Sequence, residues 1–315
     1  MRNYYIQRIL SAILTLFLIA SLTFFMMHAI PGGPFSRERS LPPQIQQHLE
    51  EKYNLDDPLI KQYFDYMVGL ITFDVGLSFK KPGYSVSELI TLGLPYSMEV
   101  GFYAILLIIL LGVPLGIISA LKQNKPVDYF VMFIATLGVT VPSFVVANLF
   151  LYFLAYKGGY ISVLWPTEPG INPTFLQFLG PVVALSGYSL SFVSRLTRSS
   201  MLEVMRQDYI RTARANGIPR SKVIFKHALK NALIPAITYL GPMIAGILTG
   251  SFVVEKVFSI PGIGQYFTQS VTDRDYTVIV GTTAFYAALY IVMILLVDVA
   301  YSLIDPRIRL GKRSE

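Results

Sequence analysis

The sequence predicts an all-α integral membrane protein with six transmembrane helices and a small helical segment on the extracytoplasmic side. Three observations predict it. Only 14% of the 315 residues are charged while 53% are hydrophobic, with a mean hydropathy of +0.54; a soluble domain carries about 25% charged residues. Six apolar runs reach or approach the roughly 20 residues needed to cross a bilayer. Lys and Arg gather in alternate connections, the pattern that marks the cytoplasmic side.

The runs are Ile9 to Ile30, Ser97 to Leu121, Tyr129 to Tyr156, Phe175 to Val193, Ile234 to Val254 and Thr277 to Ile304. The first is too long for a signal-peptide core and no A-x-A-like cleavage site follows it, so it reads as a retained helix. Arg2 and Arg8 precede it. Lys122 and Lys125 fill the second connection, nine bases from Arg195 to Lys230 fill the fourth, and Arg307, Arg309, Lys312 and Arg313 lie in the tail. With six spans all of these share one side, the cytoplasm, which also holds both termini. The expected organisation is residues 1–30 as an N-terminal helix, 31–95 as an extracytoplasmic segment, 96–306 as a membrane core with a cytoplasmic loop at 194–233, and 307–315 as a tail.

In the outer segment, Leu41-Pro42-Pro43 leads into a short helix over 44–53, and Pro58 opens a second over 59–72. A cap over the membrane helices and a docking surface for a soluble partner both fit it. In the cytoplasmic loop, Ser200-Met201-Leu202-Glu203 reads as a capping box, so a helix of about four turns is expected from there to Asn216. Gly217 then takes a left-handed stop and Pro219 bars continuation, before a second helix from Ser221. Met201, Met205 and Tyr209, four residues apart, are its candidate anchors. Such a charged hairpin either contacts anionic lipid heads or forms a rigid peg for a groove on a cytoplasmic protein.

Several chemistries are disfavoured. The chain has no Cys and three His, far apart, so neither a thiol nucleophile nor a His-based metal site is expected. No G-x-x-x-x-G-K-[ST] loop is present to cradle ATP phosphates. Proton coupling needs an ionisable group deep in the bilayer; Glu99 and Asp298 stand near span ends, which counts against an ion-coupled transporter. No set of polar residues assembles an enzyme site. The net charge of +7 reports membrane orientation rather than nucleic-acid binding. No cofactor is expected.

Neutral polar residues inside the runs are candidate pathway lining: Thr140, Ser143 and Asn148, then Ser186 and Ser189, then Thr238, then Thr282. Hydrogen bonding within the helices is the plainer role for most of them. Gly112-x-x-x-Gly116 and Gly246-x-x-x-Gly250 allow close helix approach, within this subunit or to another. Pro114, Pro142, Pro235 and Pro242 are expected kinks. Pro261-Gly262-Ile263-Gly264 reads as a tight turn outside the membrane, with a fixed shape or a reach into a partner or the pathway.

The stretch Tyr209-Ile210-Arg211-Thr212-Ala213-Arg214-Ala215-Asn216-Gly217 resembles the EAA loop of bacterial ABC importer permeases of the oligopeptide, dipeptide and nickel family. Arg211-Thr212-Ala213 stand where the loop normally reads E-A-A, with Gly217 in register. The pattern's later Ile and Leu-Pro fall at His227, Leu229 and Lys230, so its Pro is missing there and Pro235 comes five residues on. Further likeness, nearest to one of the two permeases of the oligopeptide branch, runs through Pro31-Gly32-Gly33-Pro34-Phe35, Glu38-Arg39, Leu41-Pro42-Pro43, Asp57-Pro58, Pro142-Ser143-Phe144, Pro261-Gly262-Ile263-Gly264-Gln265, Asp273-Arg274-Asp275-Tyr276 and Asp305-Pro306-Arg307-Ile308-Arg309. The resemblance implies a type I ABC importer transmembrane domain in a bacterial inner membrane. It implies a second homologous permease subunit, two cytoplasmic ATPases that hydrolyse the ATP, and an extracytoplasmic binding protein that delivers oligopeptide. Dipeptide, nickel and glutathione carriers are the alternatives within the family. It implies ATPase coupling at Arg206, Asp208, Arg211, Thr212, Ala213, Arg214 and Gly217.

Overall fold

The computed structural model of the chain describes residues 2–31, 33–35, 43–159, 164–166 and 173–304. The motifs at 38–39, 41–42 and 305–309, the tail at 307–315, and the side chain of Asp298 lie outside the described residues.

The first run forms α1, Arg2–His28. Only 11% of its apolar window is buried by protein. A helix apolar all round and uncovered by its own chain needs lipid around it. The outer segment then forms α2, Pro43–Lys52, and α3, Leu59–Thr72, close to the expected bounds.

The second span starts earlier than expected. α4 runs from Val86 to Leu121 because Ser85 and Glu88 make a reciprocal capping box: the Glu88 N–H donates to the Ser85 hydroxyl (3.2 Å) and the Ser85 N–H to the Glu88 carboxylate (2.7 Å). The boundary at 95/96 therefore falls inside a helix, with Pro95 within it. A wide π turn at Ile108–Gly112 precedes Pro114, whose missing N–H and ring interrupt the regular ladder.

The third run is two helices rather than one. α5, Pro126–Thr140, and α6, Ser143–Lys157, meet at 102°. Pro142 holds Val141 extended (φ −85°, ψ 120°), which ends α5. The pair still crosses. Asp128 at its start lies beside Arg198 and Ser119, whereas Trp165 beyond its end packs on Tyr96 and Phe178 and its N–H donates to the Phe258 carbonyl, at the other end of the bundle.

The fourth run is overrun by α7, Phe175–Val204. No helix starts at Ser200; it and Met201 are buried inside α7. The expected four-turn helix is instead the end of α7, a turn at 205–207, and α8, Asp208–Ala215. Helical turns over 220–232, here α9, follow. The fifth run splits at 249–251 into α10, Ile234–Leu248, and α11, Phe252–Val257. Gly262 does not simply turn the chain: it caps α12, Ile263–Asp273. α13, Tyr276–Ile304, closes the bundle against α1 and α10.

α7 is the axis of the fold, touching α4, α5, α6 and α10. Its Ser194 hydroxyl donates to the Gly112 carbonyl (3.1 Å), and a Cβ on Gly116 would stand 2.5 Å from the Ser194 carbonyl oxygen. The first Gly-x-x-x-Gly pair is thus used inside the subunit. A Cβ on Gly246 would meet nothing within 4 Å. The core gathers Val100, Ala104, Ile108, Val193, Met243 and Phe258.

Candidate coupling surface

α8 is short and two-faced. Ile210 (0% exposed) and Ala213 (7%) point into an apolar cluster with Ala120, Met201, Val223, Ile224, Ala228 and Ala232. Arg206, Asp208, Arg211, Thr212, Arg214 and Gly217 are all exposed. The surface therefore carries the expected coupling residues on its open side, except Ala213, which belongs to the seat. Of the expected anchors, Met201 is fully buried, Met205 half-buried, and Tyr209 exposed, its hydroxyl accepting from the Asn231 amide (2.8 Å).

The chain reverses sharply after α8. Gly217 takes φ +75°, its N–H donates to the Arg214 carbonyl (3.0 Å), and the Ile218 N–H reaches back to Ala213 (3.2 Å). This is a Schellman-type stop, with Ile218 folding onto the same apolar cluster. At the other end Gln207 caps α8 through its backbone carbonyl, which accepts from Ile210 and Arg211. On the open face Arg211 faces Asp208 at 3.5 Å, and the Thr212 hydroxyl donates to the Asp208 carbonyl.

The seat is fastened by a pair the sequence did not reveal. Arg198 on α7 donates through two nitrogens to the two carboxylate oxygens of Asp128 on α5, both at 2.7 Å. The Ser119 hydroxyl and the Asn124 N–H (2.9 Å) also donate to Asp128. Asp128 is only 3% exposed, so this bidentate pair is largely shielded from water. Arg198, counted from sequence among the cytoplasmic bases, is a structural ion-pair partner. It stands one turn before Met201, directly behind the seat of α8.

At the opposite end of the bundle, two buried carboxylates accept from hydroxyls and backbone N–H groups. Asp275 is buried and accepts from the Ser78 hydroxyl (2.5 Å) and the N–H groups of Phe79 and Lys80 (3.2 Å each). Glu255 on α11 accepts from the Ser97 hydroxyl (2.9 Å) and the Gln265 N–H (3.3 Å). Ser97 in turn accepts from the Ile263 N–H (3.0 Å). Gly250, Gly262 and Gly264 pack around the Glu255 carboxylate, leaving no room for a Cβ. The turn at 261–264 is thereby pinned to α4 and α11.

The candidate lining residues do not form one surface. Thr140, Ser143, Asn148 and Thr238 are exposed on the bundle. Ser186, Ser189 and Thr282 are buried, and the Thr282 hydroxyl donates to the Val278 carbonyl of its own helix.

The chain matches two family models. Residues 112–310 match the binding-protein-dependent transport system inner membrane component, and residues 1–96 match the N-terminal part of the same kind of membrane component. It is 47% identical to the dipeptide transport system permease protein DppB of Bacillus subtilis, over 99% of this chain and all of the relative. It is 44% identical to the oligopeptide transport system permease protein OppB of Salmonella typhimurium, over 98% of this chain and all of that one. Among solved structures, an amino acid ABC transporter superposes with a TM-score of 0.50 at 22% identity, covering 70% of this chain and 94% of that one; this likeness supports the fold. A type I ABC importer fold, full-length relatives and matching family models together place the chain in the family of binding-protein-dependent transport system inner membrane components.

Proposed function

We propose that the chain is a permease subunit of an ATP-driven importer that passes oligopeptides into the cytoplasm. In this reading a second, homologous permease completes the pathway. A binding protein delivers peptide to the outer end, and two partner ATPases dock at the inner end and hydrolyse the ATP. The observation that carries it is α8: an eight-residue helix seated by Ile210 and Ala213, stopped at Gly217, with Arg211, Thr212 and Arg214 turned outward. A helix held this way transmits displacement rather than absorbing it, because its seat is close-packed, its far end is closed by the backbone stop at Gly217, and α7 behind the seat is tied to α5 by the Arg198–Asp128 pair. Arg206, Asp208, Arg211, Thr212, Arg214 and Gly217 form the ATPase contact, and Ala213 supports it from below. Thr140, Ser143, Asn148 and Thr238 are the exposed candidates for the peptide path. The full-length likeness to permeases named for dipeptides and for oligopeptides supports a peptide cargo.

The side bearing α8 is assigned to the cytoplasm from its bases: Lys122, Lys125, Arg206, Arg211, Arg214, Arg220, Lys222, Lys226 and Lys230 lie in short connections there. The chain has no Cys, so single cysteines report sidedness cleanly. Gln47→Cys should react with an impermeant maleimide added outside, and Asn216→Cys only when it is added from the cytoplasmic side. The reverse pattern overturns the orientation. For function, the complex of both permeases, both ATPases and the binding protein is placed in liposomes with ATP inside. Uptake of labelled tri- to pentapeptides should require ATP and this chain; uptake of nickel but not peptide overturns the cargo.

A further inference from the structure

We infer that α3 is an interfacial helix lying in the outer leaflet of the bilayer, with lipid covering one of its faces. From sequence, 31–95 reads as wholly outside the membrane. The structure sets part of it deeper.

The depth scale comes from α1. No charged residue lies between Arg8 and His28, and those 20 residues rise about 30 Å, the thickness of the hydrocarbon core. Arg8 and His28 therefore mark the two faces of the membrane. α13 runs antiparallel beside it: Ser11 and Thr15 lie with Ile291, Ile294 and Leu295, and the His28 ring meets the Tyr276 ring at 5.7 Å. Tyr276 thus stands level with His28.

α3 crosses α1 and α13 below that level. The Tyr63 hydroxyl is 2.7 Å from the Ser21 hydroxyl, seven residues or about 10 Å beneath His28. The Tyr63 ring stacks on Phe25 at 5.2 Å. The Tyr66 hydroxyl donates to the carbonyl of Val280, one turn below Tyr276 (3.4 Å). Gln62, nearer the start of α3, meets His28 at 3.3 Å. An interfacial helix places its apolar face about 5–10 Å below the head groups, which is the depth these contacts give.

The helix is amphipathic in the matching sense. Ile60, Phe64, Val68 and Ile71, spaced four, four and three residues apart, form one stripe and are exposed by 60%, 60%, 59% and 79%. Phe73 just after it is 84% exposed. Lys61 and Asp65 border this stripe on the edge beside Val68, both exposed. Lys61 pairs with Asp57 at 2.8 Å, and Asp65 reaches a cavity of about 300 Å³ on the protein side, where Asn54, Gln62 and Asp74 also stand among apolar and aromatic side chains. The stripe stands beside the exposed face of α1 formed by Leu22, Phe25 and Met26, the Tyr63 ring joining the two through Phe25 and Phe64. Water over the stripe would leave a contiguous apolar patch of a size soluble surfaces rarely show. This inference rests on the membrane-spanning reading alone and is independent of cargo.

The test uses the assembled transporter in liposomes and nitroxide labels at Phe64→Cys, Val68→Cys, Ile71→Cys, Lys61→Cys and Asp65→Cys, one at a time. Collisions with oxygen, which concentrates in lipid, are compared with those of a water-soluble nickel chelate. ATP-driven uptake of each labelled transporter shows that it remains assembled. The oxygen-to-nickel ratio should be several-fold higher at 64, 68 and 71 than at 61 and 65. Equal ratios at all five sites overturn the inference, because the stripe then faces water. Low access to both reagents at 64, 68 and 71 overturns it too, because a protein then covers the stripe. The peptide-import reading stands or falls separately, on uptake by the unlabelled transporter.

Discussion

The two ends of the bundle hold buried carboxylates in opposite ways. At the inner end Asp128 is clamped by a guanidinium in two parallel hydrogen bonds, and the clamp ties two long helices together behind a short one. At the outer end Asp275 and Glu255 are met by hydroxyls and backbone N–H groups from loops and helix starts. A bidentate ion pair fixes the angle between the elements it joins. Hydrogen bonds from backbone N–H groups fix the course of the chain itself. The inner end is therefore built to hold helices in one relation, and the outer end to hold loops in one shape. That division suits the proposed role, in which partner ATPases act at one end and a binding protein delivers peptide at the other.

The largest test of this contrast is Arg198→Ala. It leaves the Asp128 charge buried without its partner, a class of change that costs about 3–5 kcal/mol; the lower end applies because Arg198 is itself 24% exposed. Thermal unfolding of the detergent-solubilised complex should shift strongly downward, and the ATPases should no longer co-purify. The double variant Arg198→Met with Asp128→Leu should recover much of the stability, since the unpaired charge and not the lost pair carries the cost. A double variant as unstable as the single one would show that the pair is needed for its geometry.

Gly217→Val comes next. A Cβ there meets nothing within 4 Å, so the whole effect is conformational. Non-glycine residues at positive φ lose about 1–2 kcal/mol, and a β-branched side chain is the worst tolerated. The helix stop should fail and α8 should tilt, leaving the spans inserted but ATPase-dependent uptake lost. Gly217→Asn, whose side chain tolerates the left-handed region, should retain most of the uptake. Equal loss in both variants would mean that something other than the backbone turn demands glycine.

At the outer end, Asp275→Asn weakens charged hydrogen bonds worth about 1.5–3 kcal/mol each to weaker neutral ones. Amide exchange at 78–81 should quicken several-fold, while ATPase co-purification stays as in the unaltered protein. Loss of co-purification would join the two ends into one unit and end the contrast between them.

Much of this architecture is legible in the sequence, and the failures share a cause. The pattern Ser-x-x-Glu occurs at both 85–88 and 200–203. At Ser85 it follows a turn, with Gly83 at φ +87°, and starts a helix. At Ser200 it lies within a helix whose inner face is already taken: Ser194 bonds Gly112, Thr197 packs on Gly116, and Met201 is buried. Long-range packing overrides a local start signal. The break at Val141-Pro142 was readable as a proline kink; its 102° size was not, because that depends on what the two halves pack against. Gly217 was fully readable, since its requirement is local. Asp128 and Arg198 are 70 residues apart and carry no spacing signal that sequence inspection can use.

The smallest predicted effect is on stability and yet is specific for coupling. Arg211 is 73% exposed and its ion pair with Asp208, 3.5 Å long, is open to solvent. Such pairs add little to folding, so Arg211→Glu should leave thermal unfolding unchanged within error. If α8 docks on an ATPase surface of opposite charge, the reversal should still weaken docking. Screening sets the form of the result: the Debye length is about 30 Å at 0.01 M salt and about 10 Å at 0.1 M. The loss of ATPase co-purification caused by Arg211→Glu should therefore be greatest at low salt and shrink as salt rises. Lys230→Ala, which removes one base from the adjoining helical turns of α9 and none from α8 itself, is the control. If the hairpin merely contacts anionic lipid, the two variants should lose coupling roughly in proportion to the charge each removes. If α8 is the peg, Arg211→Glu weakens co-purification while Lys230→Ala does not. Co-purification that survives Arg211→Glu at low salt but fails with Lys230→Ala would move the contact off α8.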